Sequence, residues 1–359
     1  MSRKIIYLLL VFTLYCGIAL APSTGVWAFQ NGYNEDYISV GGATPENYDF
    51  KIIGAVEKPC YIMVAGLKTY PGIETRTKEY AWENSAGSTD VDTMIGVYME
   101  DLLQFIPQLS EHATSITVTA TDGYSFDYNL NNNDYGIYWT DIGGNKIMLA
   151  WRGTASRTDR NIIDFSLPRL IVGQKTPGDI NRPMWISDIS SITVNVEVHG
   201  TIKSYNPTES AIIRLLQEGE TIYQTILPEE TGYGLTEQTF TIRGVAPGKY
   251  DLVISKKAHT EFSIINLLVK GEILDLTKDT RPEIRLMTLR CGDINEDGMI
   301  NNNDLMILWN VANYNKSTKE AINKNCDLNG DNMINNLDLT ILWLPYNYNR
   351  GKIVIEYLP

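Results

Sequence analysis

The sequence predicts a multidomain α+β protein with three folded parts. Residues 47–194 are expected to form a mixed α/β domain, residues 195–290 an all-β sandwich, and residues 291–359 a small all-α module. Three observations support this prediction. An apolar segment at helical spacing lies between strand-like segments before residue 194. Short period-two segments with turn signals follow. A duplicated oxygen-rich loop, with apolar helical positions behind each copy, ends the chain.

The N-terminus indicates export. Arg3 and Lys4 precede an apolar run, and small residues at Val26 and Ala28 favour cleavage after Ala28. Residues 1–28 therefore read as a signal peptide, with a signal anchor as the alternative interpretation. Residues 29–46 would form an extended lead-in. We expect a secreted protein, extracellular or associated with the cell surface.

Composition excludes some partners. The formal net charge is −13, and there is no basic stripe to neutralise phosphates. Neither a nucleic-acid partner nor, after signal removal, an anionic membrane is expected.

Residues 47–194 combine strands with a helix predicted from residue 96 onwards. The segments 96–103, 119–124, 168–172 and 185–194 resemble the molybdopterin-binding domain of the sulfite-oxidase-like group. Enzymes of that group ligate molybdenum through a loop cysteine, and the corresponding loop here, residues 74–80, has none. The resemblance therefore implies the fold without the cofactor. A molybdenum oxidoreductase using Cys60 is an alternative.

Aromatic side chains beside turns in the same domain are candidates for stacking on sugars. Trp82, Tyr138 and Trp139 lie next to Gly, Asn or Ser residues. They make polysaccharide a possible partner, although such residues more often staple loops onto a core. No carboxylate pair is marked out as catalytic, so no catalytic residue is assigned and enzyme activity is left uncertain.

Residues 195–290 alternate with period two and contain several turn signals. The turn at 244–252 and the early segment 198–202 resemble carboxypeptidase-regulatory-like modules. That resemblance implies a structural β-sandwich spacer.

The C-terminal segment repeats with a period of 34 residues, from Asp293 to Asp327. Both copies place oxygen-bearing residues at positions 1, 3, 5, 7, 9 and 12 of a loop, as Ca²⁺ requires. The predicted ligands of two calcium ions are Asp293, Asn295, Asp297, the Met299 carbonyl, Asn301 (directly or through water), Asp304, Asp327, Asn329, Asp331, the Met333 carbonyl, Asn335 and Asp338.

The two loops differ at position 6, which must adopt positive φ. Loop one has Gly298 there, whereas loop two has Asn332, the best non-glycine substitute. We expect loop two to fold and to bind calcium more weakly. Loop one ends in Asp304 and loop two in Asp338. Because the aspartate side chain is short, the helix that follows each loop must begin directly at it.

The paired loops, each closing with Ile-Asn, two further residues and Asp and followed directly by Leu, resemble a type I-like dockerin with F-hand calcium loops. The resemblance implies a cohesin domain of a scaffold or surface protein as partner. In dockerins, the residues that recognise the cohesin lie largely at loop positions 10 and 11 and in the following helix. Helical spacing adds further docking positions. The predicted partner-binding residues are Asn302, Asn303, Leu308, Trp309, Asn336, Leu337, Leu342 and Trp343.

Cys291 and Cys326 each precede one loop. Since the loops of such a module lie side by side, a disulfide between them is plausible in an exported protein, although spacing does not establish it. Cys60 would then be left over as a buried apolar residue.

The leading hypothesis is a secreted, non-catalytic modular protein. A calcium-dependent dockerin would attach it to a cohesin-bearing scaffold, as in a cellulosome, and display the N-terminal domain. The alternative is a polysaccharide-degrading hydrolase carried by the same anchor.

Overall fold

The computed structural model describes residues 37–358, and this part of the chain is mostly β-sheet. Strands account for 44% of the residues and helices for 12%. The predicted fold class is therefore wrong in two places: residues 47–194 are not an α/β domain, and the C-terminal module is not all-α. The predicted signal peptide lies outside the described residues, as do residues 29–36 of the lead-in, whereas residues 37–46 are described.

The helices within residues 37–358 are all short. The α-helices are α1 Val64–Leu67, α2 Met99–Phe105, α3 Pro282–Arg285, α4 Asn302–Leu308 and α5 Asn336–Leu342, and short 3₁₀ helices lie at Arg182–Met184, Leu276–Lys278 and Lys324–Cys326.

The strands in the same part of the chain supply most of the structure. They are β1 Ile38–Val40, β2 Phe50–Gly54, β3 Cys60–Ile62, β4 Arg76–Glu83, β5 Thr89–Tyr98, β6 Ser115–Ala120, β7 Ser125–Asn129, β8 Met148–Thr154, β9 Ile162–Ile171, β10 Ile189–Tyr205, β11 Ala211–Gln217, β12 Glu220–Leu227, β13 Leu235–Val245, β14 Gly248–Lys256, β15 Phe262–Val269, β16 Leu274–Asp275, β17 Met287–Thr288, β18 Met299–Ile300, β19 Lys316–Ser317, β20 Met333–Ile334, β21 Arg350–Gly351 and β22 Ile353–Glu356.

The helix predicted from residue 96 begins three residues later, at Met99. Residues 96–98 end β5, which pairs with both β4 and β8 in a four-stranded antiparallel sheet. Gly96 lies so close to β8 that a Cβ there would be 2.0 Å from the Leu149 carbonyl oxygen. The apolar residues in this segment fit the spacing of a helix and that of a strand, and pairing with β8 selects the strand.

Strand β10 is 17 residues long and crosses the predicted domain boundary at residues 194/195. Its first half pairs with β2 and β6, and its second half pairs with β13, β16 and β17. One continuous strand therefore supports both the N-terminal sheet and the sandwich. The order in the N-terminal part is β1-β3-β2-β10-β6-β7.

The second sheet of the sandwich has the order β12-β11-β14-β15-β22. Its last strand, β22, comes from the end of the chain and pairs in parallel with β15, with Phe262 opposite Ile353. The chain thus leaves the sandwich, forms the C-terminal module and returns to the sandwich sheet.

Lys256 lies buried near the point where the sandwich meets the module. Its Nζ donates a hydrogen bond to Ser204 Oγ at 3.1 Å, and burial lowers its pKa to about 8. The unfolded chain therefore binds more protons between pH 8 and 10.5, and stability contributed by this group rises with pH across that window. Below pH 8 the buried charge is unfavourable by about 3 kcal/mol.

We predict that Lys256→Met is more stable than the wild-type chain at pH 7, by about 1–2 kcal/mol after the lost bond to Ser204 is subtracted. The advantage should shrink towards pH 10. Urea unfolding at pH 7 and pH 10 measures both values. If Lys256→Met and the wild-type chain differ in free energy of unfolding by the same amount at pH 7 and pH 10, the lowered pKa assigned to Lys256 is contradicted.

Candidate metal centre and docking face

Each calcium loop folds around its first aspartate. Asp293 accepts hydrogen bonds from Asp297 N at 3.1 Å and Gly298 N at 2.9 Å. Asp327 accepts them from Gly330 N at 2.8 Å and Asn332 N at 2.9 Å. In both loops these bonds fold the chain back over position 1.

The last loop residue closes each loop and starts its helix. Asp304 accepts hydrogen bonds from Ile294 N, Asn295 N and Asn301 N at 2.8–3.2 Å. Asp338 makes the equivalent three bonds to Leu328 N, Asn329 N and Asn335 N at 2.7–3.2 Å. Both side chains are fully buried. With Asn301 and Asn335 as N-caps they complete a capping box, and α4 and α5 begin directly after it.

Position 6 adopts the required left-handed backbone in both loops. Gly298 has φ +88° and Asn332 has φ +68°. Asn332 is held by Thr318, whose N–H donates to the Asn332 carbonyl at 3.1 Å and whose hydroxyl lies 3.3 Å from Asn332 Oδ1. The asparagine is therefore accommodated by contacts that the loop sequence alone does not show.

The loops concentrate negative charge in a partly dehydrated place. Burial is the main cause that raises the pKa of Asp293 to about 6, with Asp304 and Asp297 nearby. Burial likewise raises the pKa of Asp338 to about 6, with Asp327 as a neighbour. Burial also raises the pKa of Asp327. A divalent cation would offset this unfavourable charge.

The donor set fits a hard cation. Within residues 37–358, no three His, Cys, Asp or Glu side chains are grouped so as to hold a metal by themselves. A cation held by the predicted ligands would depend on asparagine and main-chain oxygens as well as carboxylates, a donor set that suits calcium better than a transition metal.

The two repeats interlock about an approximate two-fold axis. Strand β18 of loop one pairs with β21, which follows α5, and β20 of loop two pairs with β19, which follows α4. The Tyr314 hydroxyl donates to Asn336 Oδ1, and the Tyr348 hydroxyl donates to Asn302 Oδ1. These reciprocal bonds tie position 10 of each loop to the other repeat.

Sequence reasoning missed the structural role of the Asn-Tyr-Asn segments at 313–315 and 347–349, although their repetition was visible. Asn313 Nδ2 donates to the Ile307 carbonyl at 2.8 Å and Asn347 Nδ2 to the Ile341 carbonyl at 2.7 Å. They thus satisfy carbonyls at the ends of α4 and α5.

The predicted docking positions fall into two groups. Trp309 and Trp343 are 55% and 47% exposed, and their rings pack edge to face at 6.3 Å and 88°. Leu337 is also exposed, as are Asn302, Asn303 and Asn336. Leu308 and Leu342 are fully buried in the module core, so their prediction as docking residues is wrong. They occupy the inner helix face, one residue before each exposed tryptophan.

The predicted disulfide is also not present. Cys291 and Cys326 are both buried free thiols. Cys291 Sγ lies 3.7 Å from the Leu328 carbonyl, and both side chains pack into the apolar core of the module. Burial raises the pKa of both thiols, that of Cys326 to about 12. The two residues fill space as small apolar side chains.

Cys60 does not fit a molybdenum site. It is fully buried in β3, its Sγ lies 3.4 Å from the Lys58 carbonyl, and burial raises its pKa to about 12. A metal ligand must be a thiolate, and burial disfavours that charged form here.

The candidate sugar-stacking residues of the N-terminal part also divide into packed and exposed side chains. Trp82 is buried: its Nε1 donates to Asp92 Oδ2 at 2.9 Å, and the Arg182 guanidinium covers its ring. Trp82 is therefore not an exposed stacking residue, in keeping with the alternative that such aromatics pack onto the core. Trp139 packs against Tyr135 at 5.0 Å, whereas Tyr138 is exposed.

Comparison with protein families decides the nature of the C-terminal module. The model of the dockerin type I domain matches residues 291–343, which contain both loops, α4, α5 and the tryptophan pair. Residues 291–343 are a dockerin type I domain. Domains of this kind generally bind calcium, which agrees with the donor set of the two loops. The prediction of a dockerin is confirmed.

Solved structures give a more distant likeness. Two type II cohesin–X-dockerin complexes from Acetivibrio cellulolyticus, one mutated at an N-terminal and one at a C-terminal interface, are 19% and 20% identical to this chain. The matched regions span 42% and 43% of this chain and 97% and 96% of the solved chains. Both TM-scores are 0.31. A search of curated proteins finds no match. The dockerin assignment therefore rests on the family match.

Among the described residues, no helix has the length and apolar character needed to cross a membrane.

Proposed function

We propose that this chain is anchored by its dockerin domain to a cohesin domain, and that two calcium ions, one in each loop, hold the dockerin in its binding shape. The observation that carries the proposal is the exposed Trp309–Trp343 pair on a module of the dockerin family. Two half-exposed tryptophans in contact are unusual on a free surface and are typical anchors of a protein interface.

The calcium ions act through the exit helices. Asp304 and Asp338 are predicted cation ligands that lie in the first turn of α4 and α5, where each accepts a hydrogen bond from the N-cap amide. Trp309 and Trp343 are the C-cap residues of the same helices. A cation in the loop therefore stabilises the helix that presents the docking residue, so binding of metal and of partner are linked.

The near two-fold symmetry supports two docking orientations. Exposed counterparts in the repeats are Asn302 with Asn336 and Asn303 with Leu337. Because position 11 is polar in one repeat and apolar in the other, the two orientations should differ in affinity.

The anchored protein is proposed to be secreted, with the part of the chain before the dockerin displayed on the scaffold as a non-catalytic binding domain. The predicted export signal and the extracellular setting of dockerin assemblies support this placement.

Complex formation with purified cohesins tests the anchoring role. The full-length mature chain should co-elute with a cohesin, of type I or type II, in size-exclusion chromatography with calcium, and the complex should separate with EDTA. Free elution from both cohesins in calcium would contradict the proposal.

A further inference from the structure

The two calcium loops have different surroundings, although their sequences are nearly the same. Loop one is open at positions 3–5, where Asn295, Glu296 and Asp297 are exposed. In loop two, Asn329 is 4% exposed and Gly330 is buried. The β-sandwich covers this part of loop two.

Two hydrogen bonds connect the sandwich to the main chain of loop two. Asn206, in the turn after β10, donates from Nδ2 to the Asp327 carbonyl at 2.9 Å. Gly234 donates from its N–H to the Asn329 carbonyl at 2.6 Å. Both accepting residues are predicted calcium ligands, at positions 1 and 3, so these bonds fix the peptide groups that carry the ligand side chains.

The sequence difference at position 4 follows from this contact. A Cβ on Gly330 would be 2.4 Å from Asn206 Oδ1, so only glycine fits beneath the sandwich. Loop one has Glu296 at the same position, with the same positive φ but no sandwich above it.

Asn206 is itself held firmly. It has φ +54° and is 9% exposed. Its Oδ1 accepts hydrogen bonds from Thr208 N at 3.2 Å and Thr208 Oγ1 at 2.6 Å. The amide nitrogen is thereby directed at loop two.

We infer that the β-sandwich, through Asn206 and Gly234, positions loop two for calcium, making it the tighter of the two sites despite Asn332. Preorganised ligands lose less conformational freedom on binding, and partners behind metal ligands typically contribute ten- to hundredfold in affinity. Loop one has the larger acidic charge because of Glu296, but that side chain is exposed and its contribution is screened. This inference rests on the proposed calcium-loaded dockerin.

Loop one is contacted by one asparagine side chain through longer hydrogen bonds, and this residue provides a matched control. Asn325 Nδ2 lies 3.4 Å from the Ile294 carbonyl and 3.3 Å from Glu296 Oε1. Asn325→Ala should therefore affect loop one, whereas changes at Asn206 should affect loop two.

The test is a calcium titration of the full mature chain followed by NMR. The Gly298 amide, bonded to Asp293, reports on loop one, and the Asn332 amide, bonded to Asp327, reports on loop two. In the wild-type chain, Asn332 should titrate at lower calcium than Gly298. Asn206→Asp retains the acceptor for Thr208 but loses the donor, and should weaken loop two about tenfold or more with loop one unchanged. Asn206→Gly, which tolerates the positive φ, should act in the same direction.

Asn325→Ala should shift the Gly298 titration alone. An unchanged Asn332 titration in both Asn206 variants would overturn the inference, as would an equal loss at both loops. If neither the Gly298 amide nor the Asn332 amide of the wild-type chain responds to calcium, the proposed calcium function is refuted, and this inference with it.

Discussion

Replacing Asp304 by alanine is expected to destabilise the dockerin domain severely and to abolish calcium binding by loop one. The side chain is fully buried and accepts three main-chain hydrogen bonds. Its removal leaves buried N–H groups without partners and breaks the capping box that Asp304 forms with the N-cap Asn301 of α4. Each effect costs about 1–2 kcal/mol, so we expect a total of roughly 3–5 kcal/mol. Asp338→Ala should have a comparable effect on loop two.

Urea unfolding in EDTA and calcium calorimetry measure the two consequences separately. The matched control is Asn303→Ala, one residue away and exposed, which should change stability by less than about 0.5 kcal/mol. Asp304→Asn retains the shape but not the charge. It should weaken calcium binding on the order of a hundredfold with a smaller loss of stability. Wild-type calcium affinity in Asp304→Asn would refute the role of position 12.

The second large effect is expected at the docking face. Trp309→Ala combined with Trp343→Ala should weaken cohesin binding by a hundredfold or more, with roughly a thousandfold as the additive limit, because interface tryptophans commonly contribute about 2 kcal/mol each. Calcium affinity should change little, since both rings lie outside the loops and are about half exposed. The two losses should not be additive, because the rings contact each other.

Titration of each variant against immobilised cohesin in calcium measures this effect. Ile222→Ala is a suitable control, because Ile222 has the same exposure as Trp343, 47%, but lies on β12 of the sandwich. Cohesin affinity that survives loss of both tryptophans would place the docking surface elsewhere on the chain.

The calcium loops were predictable from the sequence because their geometry is local. Ligand spacing, the position-6 residue and the start of the exit helix all lie within one short segment, and the structure forms both capping boxes there. The family match confirms the dockerin interpretation, while the ligand assignments themselves stay a prediction.

Features that depend on distant partners were not predictable. The single strand β10 supports two sheets because β2, β6 and β13 arrive from remote parts of the chain. The strand at residues 96–98 is selected by pairing with β8, whereas its apolar spacing alone also fits a helix. Helical spacing placed Leu308 and Trp309 on one face, but only packing of the two repeats shows that the leucine is inside and the tryptophan outside.

The measurement that tests the account most directly is a calcium titration of the full mature chain in which metal occupancy and cohesin binding are recorded together. Two ions should bind per chain, and cohesin binding should appear over the same calcium range and be lost on chelation. Cohesin binding of equal strength in EDTA, or two bound ions without affinity for any cohesin, would contradict calcium-dependent anchoring.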